Sequence, residues 1–277
     1  MLKQRVITAV GLLAVFVPAL FYPDPAPFGV LTLCLMAASG WEWARLNGCS
    51  TPVALAWGGA LGAALAVAWG WWGLSVPVPQ VWQLAAVVWV MVTARLLRRG
   101  VPGWPSVPRG VRLGGGLLSI GLAWWAMAQA MAQGVLLLLS MLCLVWMADS
   151  AAYFGGKAFG RRKLAPTISP GKSWAGVYSG MAGVLLLGGA WAWAEARWGV
   201  PGASLFGRLW AQGPWVFVAG LLGLTAMGVA GDLLESLVKR SAGVKDSSAL
   251  LPGHGGVLDR VDALLPVLPL AMWLITP

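Results

Sequence analysis

The chain has 277 residues, of which 59% are hydrophobic and 10% charged, with a formal net charge of +10 and a mean hydropathy of +0.77. That balance excludes an ordinary soluble domain and points to apolar runs long enough to cross a bilayer. The positive charge does not indicate nucleic acid as a partner, because the basic residues lie in loops between apolar runs.

The first apolar run, 6–22, follows Lys3 and Arg5 and ends in Tyr22-Pro23-Asp24-Pro25. That sequence offers no small-residue cleavage site, so the run is read as an uncleaved span. A second run covers 28–46, with Glu42 and Arg45 near its end. Runs 53–74 and 79–97 follow, the first carrying Gly58 and Gly62 in a G-x-x-x-G relation that permits close helix packing. Residues 95–112 form a basic loop with Arg95, Arg98, Arg99, Arg109, Arg112 and three prolines. Runs 113–131 and 135–154 read as a helical hairpin turning at Gln133-Gly134, followed by a second basic loop, 155–173, with Lys157, Arg161, Arg162, Lys163 and Lys172. The last runs are 174–194, 215–238 and 257–275.

These runs predict an all-α, polytopic transmembrane bundle of about nine spans, one integral membrane domain over 1–277. Within it, 1–132 supply N-terminal helices and 133–277 the catalytic helices and loops. With the N-terminus cytoplasmic, the basic loops after the fourth, sixth and eighth spans share the cytoplasmic face. The loop 195–214, with Arg197 and Arg208, and the C-terminus then fall outside. The 19 tryptophans, many near run ends, are expected as interfacial anchors. Cys34, Cys49 and Cys143 have no C-x-x-C spacing, so neither a zinc site nor a disulfide framework is indicated, and Cys34 and Cys143 are expected to be buried. Neither an internal repeat nor a low-complexity tail stands out.

Five of the nine acidic residues fall between 231 and 262: Asp232, Glu235, Asp246, Asp259 and Asp262. Charges are costly near a bilayer and are kept there mainly for function. A helix through 231–239 puts Asp232, Glu235, Ser236 and Lys239 on one face. Pro252-Gly253-His254-Gly255-Gly256 must break that helix, and Asp259, Arg260 and Asp262 follow in the next apolar run. A glycine-rich loop leading into a helix can present N–H groups to phosphate, and closely spaced carboxylates suit a hard divalent cation. Asp149, Asp232 and Asp259 sit on three runs at similar depth, Asp232 roughly 10 Å from the cytoplasmic end of its run. Local neutralisation by Lys or Arg competes with metal binding, most of all at Glu235, which has Lys239 at i+4.

Ser169-Pro170-Gly171-Lys172-Ser173 is not a Walker A loop, since it lacks the first glycine and a preceding strand. Lys172 and Ser173 are read either as triphosphate contacts at a helix start or as a lipid-headgroup anchor. His254 is read either as a structural donor or as a residue facing phosphate.

The order S-x-x-K-R-x4-K-D-x5-P-x-H-G-G-x-x-D-R-x-D, carried by Ser236, Lys239, Arg240, Lys245, Asp246, Pro252, His254, Gly255, Gly256, Asp259, Arg260 and Asp262, resembles the signature of the phosphatidate cytidylyltransferases, or CDP-diacylglycerol synthases. Residues 148–174 also resemble that family, while the N-terminal half does so only in hydropathy. Ala175 and Ala263 depart from residues common there. The resemblance implies a metal-dependent nucleotidyltransferase of the bacterial inner membrane, active site facing the cytoplasm, that makes CDP-diacylglycerol and pyrophosphate from CTP and phosphatidic acid. Asp232, Lys239, Arg240, Lys245, Asp246, His254, Asp259 and Arg260 are the expected catalytic residues. Lys172, Ser173, Ser236, Gly255 and Gly256 are expected to contact nucleotide, and Asp232, Asp259, Asp262 and Asp149 to hold Mg²⁺ or another divalent cation. CTP, phosphatidic acid and membrane lipids are the expected partners, with a homodimer left open and a lateral lipid opening expected at no stated place. A cation-coupled transporter would also keep carboxylates in helices, but their gathering near one face fits an interfacial enzyme better. The D-G-x-x-A-R opening of CDP-alcohol phosphotransferases is absent, and an isoprenoid or ether-linked phosphate lipid remains an alternative substrate.

Overall fold

The computed structural model describes residues 2–73, 76, 78–198 and 202–276, without the side chains of 2–5 and 72. The expected anchoring by Lys3 and Arg5 therefore lies outside the described residues. Helices run α1 Leu2–Leu20, α2 Ala26–Leu46, α3 Thr51–Trp72, α4 Pro79–Arg99, α5 Arg109–Gln133, α6 Val135–Phe159, α7 Trp174–Trp198, α8 Leu205–Ala211, α9 Pro214–Ser241, α10 Leu258–Val261 and α11 Leu264–Ile275. Several boundaries follow from chemistry at the ends. Proline stands in the first turn of α2, α3, α4 and α9, where its missing N–H has no partner to lose. The fold is helical, as expected, apart from an antiparallel hairpin of β1 Lys163–Ala165 and β2 Ser169–Ser173, in register Lys163 to Ser173 and Ala165 to Ser169.

Among the described residues, six helices, α3 to α7 and α9, are long and apolar enough to cross a membrane. Three of the expected nine runs differ. The described apolar part of α1 is short, Val6–Leu20, and α2 carries Glu42 and Arg45 in its last turns. The run 257–275 is a four-residue helix, α10, followed by the 12-residue α11. Pro266 has no N–H to give the Asp262 carbonyl, which removes the bond that would carry one helix through the junction. Every residue of α11 from Leu264 to Met272 is buried, as a helix apolar on all sides requires, and it packs against α4, α5 and α9.

Close approach shapes two other pairs. Gly58 has no room for a Cβ, which would lie 2.6 Å from the Ala37 carbonyl of α2, so the G-x-x-x-G pair serves packing within the chain. Along α6 and α7, a Cβ on Gly176 would meet the Ala152 carbonyl at 2.9 Å and one on Gly180 the Ala148 carbonyl at 3.0 Å.

Side-chain bonds show which helix ends lie together. At one end, Trp43 Nε1 of α2 donates to the Arg112 carbonyl of α5 (2.9 Å), Arg109 Nη2 to the Gly48 carbonyl (2.8 Å), and Thr8 Oγ1 of α1 to the Pro252 carbonyl (2.9 Å). At the opposite end, Arg208 Nη1 donates to Gln133 Oε1 (2.6 Å) and Gln212 Nε2 to the Leu274 carbonyl (3.0 Å). With Ser248 Oγ donating to Glu42 of α2 and Lys172 pairing with Asp232 of α9, the start of α1, the end of α2, both long basic loops and the 242–257 loop share one end of the bundle.

Two expectations need correction. Cys34 is exposed on the outer face of α2 and Cys143 half-buried, so neither is a core residue. The tryptophans divide: Trp71, Trp198 and Trp215 are exposed near helix ends as anchors would be, but Trp43, Trp82, Trp89, Trp104 and Trp124 are buried, because an indole fills core volume that shorter side chains leave open.

Candidate active site

The site lies at the shared end, where α9, the loop 242–257 and α10 meet α2, α6 and the β-hairpin. Helix α9 presents Asp232, Glu235, Ser236 and Lys239 on one face, as the spacing predicts. Ser236 Oγ donates to Asp232 Oδ1 (3.3 Å), and Lys172 Nζ of β2 pairs with Asp232 Oδ2 at 2.5 Å. The S-P-G-K-S stretch is thus a strand leading directly into α7 and not the loop expected, because β1 pairs with it. Its Ser173 is buried, and its hydroxyl accepts the Gly176 N–H at 3.2 Å, capping α7.

Asp259 holds the loop. Its Oδ1 accepts from Lys239 Nζ (2.6 Å), and its Oδ2 from Ser247 N (2.9 Å), Ser247 Oγ (2.9 Å) and Gly256 N (2.7 Å). Burial pushes this carboxyl up, but the bonds from Lys239 and Gly256 outweigh burial and bring it down to about 2. The Gly256 N–H is therefore directed at Asp259. Gly255 has φ +83°, and a Cβ there would lie 2.6 Å from Asp259 Oδ2. Lys239 also pairs with Glu235, joining α9 to α10.

Sequence reasoning missed Glu42 as a site residue. It is fully buried, its Oε1 accepting from Ser248 Oγ (2.5 Å) and Val257 N (3.0 Å) and its Oε2 from Leu258 N (2.7 Å). A carboxylate from α2 thus satisfies open N–H groups at the start of α10. A Cβ on Gly256 would collide with both Glu42 and Ser247 Oγ. The available signal was a lone acid inside an apolar run, but the partners lie more than 200 residues away in sequence.

Asp149 of α6 lies within electrostatic range of Asp232, Lys172 and Arg260, and Asp262 within range of Asp232, Lys172 and Lys239. Asp262 Oδ1 accepts the N–H of Ala263 (2.7 Å). Lys172 is thus bonded to Asp232 of α9 and within electrostatic range of carboxylates from α6 and the α10–α11 junction. Among the described residues, no three metal-donating side chains converge on one point. His254 Nδ1 is buried without a hydrogen-bond partner among the described residues. Arg240 is exposed, with Nη1 donating to the Val244 carbonyl (3.3 Å). Lys245, Asp246 and Arg260 are exposed and make no ion pair among the described residues.

Long apolar helices that gather their charge at one end, around a loop held by two buried carboxylates, define a polytopic helical membrane protein with an interfacial polar site. More particularly, the chain belongs to the cytidylyltransferase family, whose model matches residues 3–276. It is 40% identical over 282 residues to a phosphatidate cytidylyltransferase of Pseudomonas aeruginosa, covering 99% of this chain and 97% of that protein. A phosphatidate cytidylyltransferase of Haemophilus influenzae is 34% identical over 296 residues, with 97% and 96% covered. One of Brucella suis is 45% identical over 129 residues, 45% of this chain and 41% of that protein.

Proposed function

We propose that this chain transfers the cytidylyl group of CTP to phosphatidic acid, giving CDP-diacylglycerol and pyrophosphate for phospholipid synthesis. The observation that carries the reading is the gathering of Asp149, Asp232 and Asp262 around Lys172 beside the pinned 242–257 loop, in a chain similar over nearly its whole length to phosphatidate cytidylyltransferases. A phosphate oxygen of the lipid attacks the α-phosphorus of CTP, the bond to the β-phosphate oxygen breaks, and pyrophosphate leaves with that electron pair. The lipid phosphate is already a nucleophile, so no Ser or Cys need become covalently attached. The protein's part is to hold two anions together in line.

The donor chemistry fits a divalent cation. Asp149 and Asp262 each act on Asp232, and Lys172 reaches all three, with Arg260 also acting on Asp149 and Lys239 on Asp262, so hard-oxygen donors from three elements stand among the cations. Asp232, Asp262 and Asp149 would hold it, whereas Asp259 already accepts four hydrogen bonds and serves the loop. Bound there, Mg²⁺ would neutralise phosphate oxygens as charge develops on the leaving pyrophosphate. Lys172 and Arg260 bind the triphosphate, His254 Nδ1 faces phosphate from the loop, and Lys239 orients Asp259 and Glu235. Arg240, Lys245 and Asp246 line the cytoplasmic approach.

The site faces the cytoplasm of the bacterial inner membrane, with nine passes of the chain. Its support is that, of the described basic residues, Arg197 and Arg208 alone lie towards the end away from the site.

The test is CDP-lipid formation by detergent-purified protein with phosphatidic acid across a Mg²⁺ titration, for wild type and for Asp232→Asn, Asp262→Asn and Asp149→Asn. The account expects CTP-dependent product, not supported by ATP, and a raised Mg²⁺ requirement or lost turnover in the three variants. Absence of product from folded wild-type protein would refute it.

A further inference from the structure

A threonine inside a helix ordinarily turns its hydroxyl back onto a carbonyl three or four residues before it. Thr32, Thr93 and Thr225 do so, donating to the carbonyls of Phe28 (2.8 Å), Trp89 (2.7 Å) and Leu221 (2.8 Å). Thr8 of α1 turns outward instead. Its Oγ1 donates to the Pro252 carbonyl, 244 residues away in sequence. A hydroxyl that leaves its own helix for a distant carbonyl marks a tertiary placement and not a local preference.

Pro252 belongs to the turn that presents His254. That turn is closed on itself by the Leu251 N–H, which donates to the Gly255 carbonyl, and the His254 N–H, which donates to the Leu251 carbonyl, both at 2.8 Å. Gly253 and Gly255, on either side of the histidine, have φ of +77° and +83°. Two such residues make a tight turn, and glycine's backbone freedom also makes it easy to deform. The ends of the loop are held by carboxylates: Ser248 and Val257 bond to Glu42, Ser247 and Gly256 to Asp259. Thr8 reaches its middle.

The rest of α1 shows how that contact is aimed. Val6, Ile7, Val10, Leu13 and Val17 are exposed, and among the described side chains of this helix Leu20 alone is buried. The helix leans on α2, where the Phe16 ring meets the Phe28 ring edge-on with centroids 5.4 Å apart. Phe16 lies eight residues after Thr8, roughly 12 Å along the helix axis. These two contacts together set the depth and tilt of α1 against the bundle.

We propose that Thr8 is a positioning residue for the transfer: by holding the Pro252 carbonyl it seats the turn that presents His254, and so makes α1 part of the catalytic assembly. This role rests on the cytidylyl-transfer reading above, and hydrogen exchange separates the two.

Thr8→Val keeps the shape of the side chain and removes the hydroxyl, Thr8→Ser keeps the hydroxyl, and Thr8→Ala replaces the valine variant if that one misfolds. Full-length protein of each, purified in detergent, is assayed for CDP-lipid with CTP and phosphatidic acid varied in turn. One hydrogen bond lost from the turn predicts a fall of roughly three- to tenfold in kcat/KM for CTP in Thr8→Val, near wild-type values in Thr8→Ser, and a KM for phosphatidic acid within about twofold in both. Hydrogen exchange over 249–257 supplies a readout without turnover. The amides of Leu251 and His254 should exchange faster in Thr8→Val, while the β-hairpin at 163–173 exchanges as in wild type. Unchanged exchange over 249–257, a serine variant as impaired as the valine one, or a rise in the lipid KM in place of the CTP effect would overturn the role of Thr8 while leaving cytidylyl transfer intact. Failure of wild type to make any CDP-lipid would count against the parent reading, and faster exchange in Thr8→Val, restored by serine, would then still support the hold of α1 on the turn.

Discussion

Glu42 and Asp259 act on the same loop from opposite ends of the chain. Each accepts backbone N–H groups next to Gly256, and each is inside the protein, so losing either leaves donors without partners. Glu42→Ala is expected to cost about 2–5 kcal/mol of stability, because buried donors to a charged acceptor are orphaned, and to reduce turnover at least tenfold. Glu42→Gln should recover part of both. Melting in detergent and CDP-lipid formation check this, and an unaltered melting temperature in the alanine variant would contradict it. Asp259 supplies a pH test. Its carboxyl, at about 2 in the folded protein, lies below the ordinary value near ~3.9. Its stabilisation is therefore complete above the ordinary value and is lost as pH falls towards 2. The Tm difference between wild type and Asp259→Asn should narrow below about pH 4, and a difference independent of pH from 7 to 3 would show that the charge does not matter. The motif between Ser236 and Asp262 was legible because its members are near in sequence. Which carboxylate serves the loop was not, since that depends on how the loop folds Ser247 back onto Asp259 and on Glu42 arriving from α2.

At the scale of elements, the α6–α7 pair and the β-hairpin set the position of Lys172. The two helices approach closely because glycines of α7 lie against carbonyls of α6. Gly180→Val should therefore separate them and cost about 1–3 kcal/mol by overpacking, with activity falling as Lys172 and Asp149 move apart. Equal stability and activity in that variant would show that the close approach is dispensable. Apolar runs in the sequence located the long helices well, including the turn at Gln133-Gly134. They could not distinguish a span from a core helix: α11 and its neighbours are all apolar, and only packing reveals that α11 is a short buried helix. Nor did they show the hairpin, whose strands of three and five residues are too short to display the alternation that marks a strand.

For the whole molecule, the charge pattern that suggested orientation coincides with the structural polarity of the bundle. Cysteine substitutions in a background lacking Cys34, Cys49 and Cys143 should divide accordingly. Ser106→Cys should react with an impermeant maleimide only after the membrane is opened, and Gln212→Cys should react from outside in intact spheroplasts. The reverse pattern would invert the proposed topology. The central claim concerns which part of the nucleotide reaches the lipid. CTP labelled in its α-phosphate and CTP labelled in its γ-phosphate would each be given, with phosphatidic acid and Mg²⁺, to purified protein, and the organic phase counted. The account predicts lipid-soluble label from the α-phosphate alone, with γ-label remaining in water as pyrophosphate. Lipid-soluble label from the γ-phosphate, or none from either in folded protein, would contradict it.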